Sequence, residues 1–132
     1  MTDEARGALD GKPEVRITVF PFKVGRESRI GAMEKLKSAI ERRMSGAPQL
    51  NDLYLIEPLS VSLHISREHF AIQRLDEQFA VVDRGSACGT VVSDRQIGGD
   101  ASASHAEIRN GDVLVVGGRQ SPYVFRFEVR GS

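Results

Sequence analysis

Three short stretches of the sequence hold the polar residues that could do chemistry, and each lies between apolar runs. They are Gly25-Arg26, residues 66–69 (Ser-Arg-Glu-His) and residues 83–90 (Asp-Arg-Gly-Ser-Ala-Cys-Gly-Thr). Arginine supplies a fork of charged hydrogen-bond donors and serine supplies a hydroxyl, a combination suited to binding an anion. Because a rigid β-domain usually displays its binding groups on the loops between strands, these stretches are the candidate binding loops.

Two enzymatic interpretations of the same residues stay open. Ser66, His69 and Asp83 are the residue types of a hydrolase triad. However, Ser66 lacks the Gly-x-Ser-x-Gly turn that exposes a nucleophile, and a triad requires a geometry that a sequence does not show. Cys88 could be a reactive thiol if neighbouring arginines favour its thiolate. The simpler interpretation of Cys88 is a small residue packed in a loop.

Short apolar runs separated by turn residues predict the elements that position these loops. Val15, Ile17 and Val19 alternate with polar residues, which is the period of a half-buried strand. Gly- and Asp-rich turns separate the later runs. Further strands are predicted around residues 22–24, 53–56, 70–72, 79–82, 90–92, 113–116 and 123–129. Many short strands at close spacing indicate an all-β sandwich or barrel.

One segment, residues 28–50, interrupts this pattern of strands. Residues 32–44 are mostly good helix formers, and Met33, Leu36, Ile40 and Met44 are spaced as one apolar stripe. The sequence therefore predicts a helix of about three turns, inserted into the β-domain. Its apolar stripe is expected to pack on the domain, with a partner interface as the alternative.

Composition and charge exclude several classes of function. The chain has 132 residues, with 18 Lys+Arg, 18 Asp+Glu and one cysteine. A net charge of zero argues against a nucleic-acid partner, and a single cysteine excludes a disulfide framework or a multi-thiolate zinc site. No apolar run approaches the roughly 20 residues of a membrane helix. We expect a cytoplasmic domain over residues 13–130, after a flexible tail at residues 1–12, without a metal, a cofactor or a membrane partner.

The order of the polar motifs resembles that of a forkhead-associated (FHA) domain, and the resemblance covers about residues 14–130. The family fold is an 11-stranded β-sandwich that binds phosphothreonine peptides through loops at one end. The resemblance implies this fold here. The α-helix predicted after the second strand departs from the family, because typical members have only a short segment at this point. The residues that carry the resemblance are Gly25-Arg26, Ser66-x-x-His69-Phe70, Asp83-x-x-Ser86-x-x-Gly89-Thr90 and Asn110-Gly111-Asp112.

Three residues are implied by this resemblance to bind the phosphate. Arg26 matches the family arginine that contacts it, Ser66 matches the hydroxyl donor, and Arg67 occupies a position that often adds a third contact. A dianionic phosphate offers three strong acceptor oxygens, which suit a guanidinium that stays charged at any relevant pH. Arg84 is a further candidate, as a charge at the rim of the site.

Other motif residues are implied to be structural or to contact the peptide. Gly25, Gly89 and Thr90 belong to the structural motif, and His69 is expected to hold the binding loops in place rather than to act as a base.

Ala87 and Cys88 occupy the peptide-binding positions but depart from the family pattern. Most members have Asn at the position of Cys88, where its amide clamps the peptide backbone. A thiol cannot form both of those hydrogen bonds, which predicts a loss of roughly 1–3 kcal/mol of binding free energy.

The sequence thus predicts a non-enzymatic module that recognises phosphothreonine-containing proteins and mediates phosphorylation-dependent interactions. The alternative is a degenerate member that acts as a phosphate-independent interaction or assembly domain, for instance through the inserted helix. Arg26 and Ser66 favour the first interpretation, whereas Ala87 and Cys88 favour the second.

Overall fold

A computed structural model describes residues 1–27, 50–58 and 63–130 of the chain. The helix predicted over residues 32–44 lies outside these described residues, as does the rest of the segment 28–50 except Leu50.

The described residues fold as two β-sheets that share one apolar core. The first sheet has five strands in the order β2-β1-β3-β4-β7, and the second has four in the order β6-β5-β8-β9. The strands are β1 Phe22–Arg26, β2 Leu53–Leu55, β3 Phe70–Leu75, β4 Gln78–Asp83, β5 Thr90–Val92, β6 Arg95–Ile97, β7 His105–Ile108, β8 Val113–Val116 and β9 Val124–Arg126. The two-sheet β architecture is as predicted. The expected count of 11 strands is not confirmed, because nine lie in the described residues.

The register of the first sheet brings three loops to one end. β1 and β2 pair in parallel, with Arg26 opposite Leu55, and residues 27–52 supply the long connection that a parallel pair requires. β3 runs antiparallel to β1 and begins at Phe70, opposite Val24. β4 ends at Asp83, also opposite Phe70. The end of β1, the loop before β3 and the loop after β4 therefore lie side by side.

The core is filled by aliphatic and aromatic side chains from both sheets. Val81 on β4 and Val92 and Val116 on β5 and β8 are fully buried. All three residues of β5 are buried, which explains why this run shows no polar alternation in the sequence. The loops at the end of the sandwich are thus attached to well-packed strands.

The first predicted strand, within residues 15–19, is not formed as a regular strand. Val15 and Ile17 are half-buried and pack against the core, while Arg16 and Thr18 face solvent. The alternation of the sequence is therefore real, but it places two apolar side chains on the core without pairing the segment into a sheet. Val19 is exposed.

The predicted flexible tail at residues 1–12 is corrected by the structure. A helix, α1, spans Asp3–Ala8, and Thr2 caps it by accepting a hydrogen bond from the Ala5 N–H at 3.2 Å. Ala5, Ala8 and Leu9 are buried, and the Ile56 N–H donates to the Ala8 carbonyl at 2.9 Å. A cap and three apolar residues suffice to dock this short segment. α1 is not long and apolar enough to cross a membrane, nor is any other helix within the described ranges.

The docking of α1 is tested by truncating Leu9. We expect Leu9→Ala to lower the free energy of unfolding by about 2–5 kcal/mol, because it leaves a cavity in the core. The control Leu75→Ala removes a side chain that is 74% exposed and should change stability by less than about 0.5 kcal/mol. Urea denaturation followed by circular dichroism measures both. Equal, small effects would mean that the N-terminal segment is undocked in solution.

Candidate phosphate-binding site

The three candidate loops meet through hydrogen bonds centred on Ser66. The Arg26 N–H donates to the Ser66 carbonyl oxygen at 2.9 Å, which joins the end of β1 to the loop before β3. The Ala87 N–H donates to Ser66 Oγ at 3.0 Å, which joins the same loop to the one after β4. The structure therefore brings Arg26, Ser66, Arg67 and Ala87 together at one end of the sandwich.

Gly25 allows β1 and the loop before β3 to approach closely. A Cβ at this position would overlap the Arg67 carbonyl oxygen and would lie 2.6 Å from Asn51 Nδ2. Any side chain would push the loop away from β1 and break the register that places Ser66 beside Arg26. Glycine is required here for space, since its backbone does not have a positive φ.

The candidate phosphate ligands differ in how far they are exposed. Ser66 is half-buried, and its Oγ accepts a hydrogen bond from the Ala87 N–H. Its hydroxyl proton has no acceptor among the described residues, which leaves it available to a ligand. Arg67 is exposed, and its guanidinium makes no ion pair within the described part of the chain. Arg26 is half-buried at the end of β1.

His69 connects the loop before β3 to the loop after β4 from the protein interior. Its ring is fully buried; Nε2 lies 2.7 Å from the Gly89 carbonyl oxygen, and Nδ1 lies 2.9 Å from the Ser66 N–H. A carbonyl only accepts and an amide N–H only donates, so the imidazole is neutral with its proton on Nε2. Burial lowers the pKa of His69, which favours the same neutral form.

Asp83 and Ser86 fix the shape of the loop after β4. The Asp83 carboxylate accepts hydrogen bonds from the Gly85 N–H at 2.9 Å, the Ser86 N–H at 3.3 Å and the Ser86 hydroxyl. Ser86 Oγ in turn accepts from the Gly89 N–H at 3.1 Å. Asp83 is thus occupied within its own loop, and both nitrogens of His69 bind backbone groups. A catalytic triad with Ser66 is not assembled.

Gly89 and Thr90 end this loop and begin β5. Gly89 has a φ of +78°, and a Cβ there would lie 2.6 Å from the Ile97 carbonyl oxygen, so both conformation and space favour glycine. Thr90 is fully buried between Ile97 and Val116, its opposite residues on β6 and β8. These two positions attach the loop to the second sheet.

Ala87 and Cys88, the two residues predicted to contact a peptide, lie in the loop after β4. Ala87 is exposed and Cys88 is half-buried. Cys88 Sγ lies 3.7 Å from the Leu63 carbonyl oxygen, a weak hydrogen bond to the protein's own backbone. Neither side chain presents the amide that would clamp an extended peptide.

Polar residues that the sequence did not single out support the loops from behind. Glu57 has a fully buried carboxylate that accepts from the N–H groups of His64 and Ile65, at 3.0 and 3.1 Å, and lies 3.2 Å from His64 Nδ1. It therefore holds the chain just before Ser66. A buried carboxylate needs such donors, but its position in the sequence does not reveal them.

Arg84, predicted as a rim charge, is instead bound to the protein. Its guanidinium donates to Asn51 Oδ1 at 2.5 Å, to the Leu50 carbonyl at 2.8 Å and to Glu68 Oε1 at 2.9 Å. Asn51 is buried and donates from Nδ2 to the Arg67 carbonyl at 2.7 Å. Across the described ranges, no group of three or more His, Cys, Asp and Glu residues is placed to hold a metal ion.

The close approach at Gly25 is tested by adding one methyl group. We expect Gly25→Ala to lower the free energy of unfolding by about 1–3 kcal/mol or more, because the new Cβ would meet a backbone oxygen that cannot rotate away. The control Gly7→Ala lies in α1 with nothing within 4 Å of its Cβ and should be neutral or stabilising by up to about 1 kcal/mol. Thermal and urea unfolding measure both variants. Wild-type stability of Gly25→Ala would contradict the close packing.

A comparison with known protein families agrees with the motifs at residues 66–69 and 83–90. The sequence model of the FHA domain family matches residues 45–117, more than half of the 132-residue chain. A search of curated proteins finds no match. The NMR-based structure of the FHA-2 domain of an ABC transporter from Mycobacterium tuberculosis matches with a TM-score of 0.41 and 16% identity, covering 90% of this chain and 86% of that chain. On the family match, the chain belongs to the FHA domain family, whose members are generally phosphopeptide-binding interaction modules rather than enzymes.

Proposed function

We propose that this domain recognises phosphothreonine in a partner protein, with Arg26, Ser66 and Arg67 as the phosphate ligands. The observation that carries the proposal is the pair of hydrogen bonds made by Ser66, to the Arg26 N–H and to the Ala87 N–H. They hold an arginine-bearing strand end, a hydroxyl and a second arginine beside one another. The preference for threonine is proposed from the resemblance to the family.

The local charge supports an anionic ligand although the chain as a whole is neutral. Arg26 and Arg67 place two arginines at backbone positions next to Ser66, since the Arg26 N–H donates to the Ser66 carbonyl and Arg67 follows Ser66 in the chain. Two carboxylates adjoin these arginines in the sequence. Glu68 lies 2.9 Å from the Arg84 guanidinium, which offsets its charge, and Glu27 is buried. On its exposed side the site therefore offers a phosphate dianion donors and positive charge.

Hydrogen bonds within the protein hold the binding loops in shape. His69, Asp83 and Ser86 make their hydrogen bonds within the protein, so they fix the loops and leave Ser66 and Arg67 to the ligand. Preorganisation of this kind reduces the ordering cost of binding. It also argues for a site that selects its ligand by the geometry of a small number of donors.

The proposal is tested by titrating a degenerate phosphothreonine peptide library and its unphosphorylated equivalent. We expect measurable binding of the phosphorylated library only. Arg26→Ala should weaken that binding about ten- to a hundredfold, because hydrogen bonds to charged groups contribute roughly 1.5–3 kcal/mol. Isothermal titration calorimetry with the best-binding peptide measures the loss.

A matched control removes an arginine from the far end of the sandwich. Arg74, near the end of β3 opposite Phe79, donates to the Asp76 carbonyl in the turn away from the binding loops. Arg74→Ala should leave the affinity unchanged. Equal binding of phosphorylated and unphosphorylated peptides, or full binding by Arg26→Ala, would exclude phosphate recognition by this site.

The second candidate function is a phosphate-independent interaction domain, and Cys88 is the observation that favours it. Cys88 has no side-chain amide with which to clamp a peptide, and its Sγ makes only a weak hydrogen bond to the Leu63 carbonyl. A partner would then bind elsewhere, for example on the segment of residues 28–50. The two candidates differ in their response to phosphorylation of the partner.

The Cys88→Asn variant, which introduces the family's amide, tests whether the protein binds phosphopeptides weakly or not at all. We expect Cys88→Asn to raise phosphothreonine-peptide affinity about ten- to a hundredfold, since two backbone hydrogen bonds are worth roughly 1–3 kcal/mol. Cys88→Ser, which adds a hydroxyl but no amide, is the matched control and should gain far less. Fluorescence anisotropy with phosphorylated and unphosphorylated peptides measures both. No gain in Cys88→Asn would favour the phosphate-independent function.

A further inference from the structure

We propose that Arg84 is a positioning residue for the binding site, which acts through Asn51 to hold the Ser66–Arg67 loop against the end of β1. This inference rests on the proposed function, because it concerns how the proposed phosphate ligands are held in place. It also replaces the interpretation of Arg84 as a charge that contacts the phosphate itself.

Arg84 connects three segments that are far apart in the sequence. Its Nη1 donates to Asn51 Oδ1 at 2.5 Å, and its Nη2 donates to the Leu50 carbonyl at 2.8 Å and to Glu68 Oε1 at 2.9 Å. Its own N–H donates to the His69 carbonyl at 3.0 Å. The side chain is only 17% exposed. Its planar fork can serve several acceptors at once, as a lysine ammonium could not in the same geometry.

Asn51 transmits this constraint to the binding loop. The side chain is buried, and its Nδ2 donates to the Arg67 carbonyl at 2.7 Å. An amide has one acceptor end and one donor end, so a guanidinium at Oδ1 requires the NH2 group to point at Arg67. If Arg84 is removed, Oδ1 loses its donor and the amide is held less firmly in the orientation that serves the Arg67 carbonyl.

The Arg67 carbonyl is the point at which the constraint reaches the ligand-binding groups. It lies against Gly25 so closely that a Cβ there would overlap it. The preceding carbonyl, that of Ser66, accepts from the Arg26 N–H at 2.9 Å. Fixing the Arg67 carbonyl therefore fixes the two peptide groups that set Ser66 and Arg67 relative to Arg26.

The experiment uses Arg84→Met, which keeps much of the aliphatic length and removes the guanidinium. The first measurement is amide hydrogen exchange of the free domain. We expect the Arg26 and Ala87 amides, which donate to Ser66, to exchange about tenfold faster or more, with the β3–β4 ladder unchanged. Arg109→Met is the matched control, because it removes an exposed arginine that pairs with Glu107 at 3.1 Å. It should leave all of these amides unchanged.

The second measurement is a double-mutant cycle on phosphopeptide affinity. We expect Arg84→Met to weaken binding about tenfold in the wild-type background and less than about twofold in Arg67→Ala. A role limited to overall stability predicts equal factors in both backgrounds, after correction for the folded fraction. Equal factors would overturn the positioning role.

Asn51→Asp keeps the domain testable if Arg84→Met does not fold. The carboxylate retains an acceptor for Arg84 but loses the donor to the Arg67 carbonyl, so we expect the same faster exchange at Arg26 and Ala87. Unchanged exchange in both folded variants, or in Asn51→Asp when it alone folds, would overturn the proposal. If wild type binds phosphorylated and unphosphorylated peptides equally, the proposed function fails. The exchange measurement still decides whether Arg84 positions the loop.

Discussion

The close contact between the end of β1 and the loop before β3 is the constraint on which the rest of the site depends. Two consecutive carbonyls of the loop, those of Ser66 and Arg67, face β1 at the Arg26 N–H and at Gly25. Separating the two segments by the width of one methyl group would lose the hydrogen bond to Arg26. The antiparallel register of β1 and β3 brings these groups to the same level, and the missing side chain at Gly25 lets them touch.

The polar residues of the site have different roles according to how far they are buried. His69 and Glu57 are buried and use their hydrogen-bonding capacity on backbone groups of the loops. Unpaired, such groups would cost several kcal/mol, so their hydrogen bonds make the loop geometry highly specified. Ser66 and Arg67 lie further out and retain donors for a ligand. Buried polar groups whose hydrogen bonds are made within the protein thus support more exposed groups that can still donate hydrogen bonds.

Sequence reasoning succeeded where the information was local. The apolar runs placed β1 to β5, β8 and β9, and the motif order located the three loops. It missed β6 and β7, because their residues, Arg-Gln-Ile and His-Ala-Glu-Ile, mix polar and apolar side chains and form no apolar run. It also missed the contact between Arg84 and Asn51, which are 33 residues apart. Each is an ordinary polar residue in its own segment, and only the sheet register brings them together. α1 was missed because its six residues are too few for a clear apolar stripe.

Ser66 connects the loop before β3 to the loop after β4. This connection limits the effect of having Cys rather than Asn at position 88. The Ala87 N–H is held by Ser66 Oγ, and the Gly89 N–H is held by Ser86 Oγ. The backbone N–H groups on either side of Cys88 are therefore held by hydrogen bonds that do not involve its side chain. Under the proposed function, the thiol would therefore remove contacts to a peptide without moving the loop away from Ser66. Because the backbone beside Ser66 does not depend on an amide at position 88, an FHA domain of this form could lose the peptide clamp and retain its phosphate contacts.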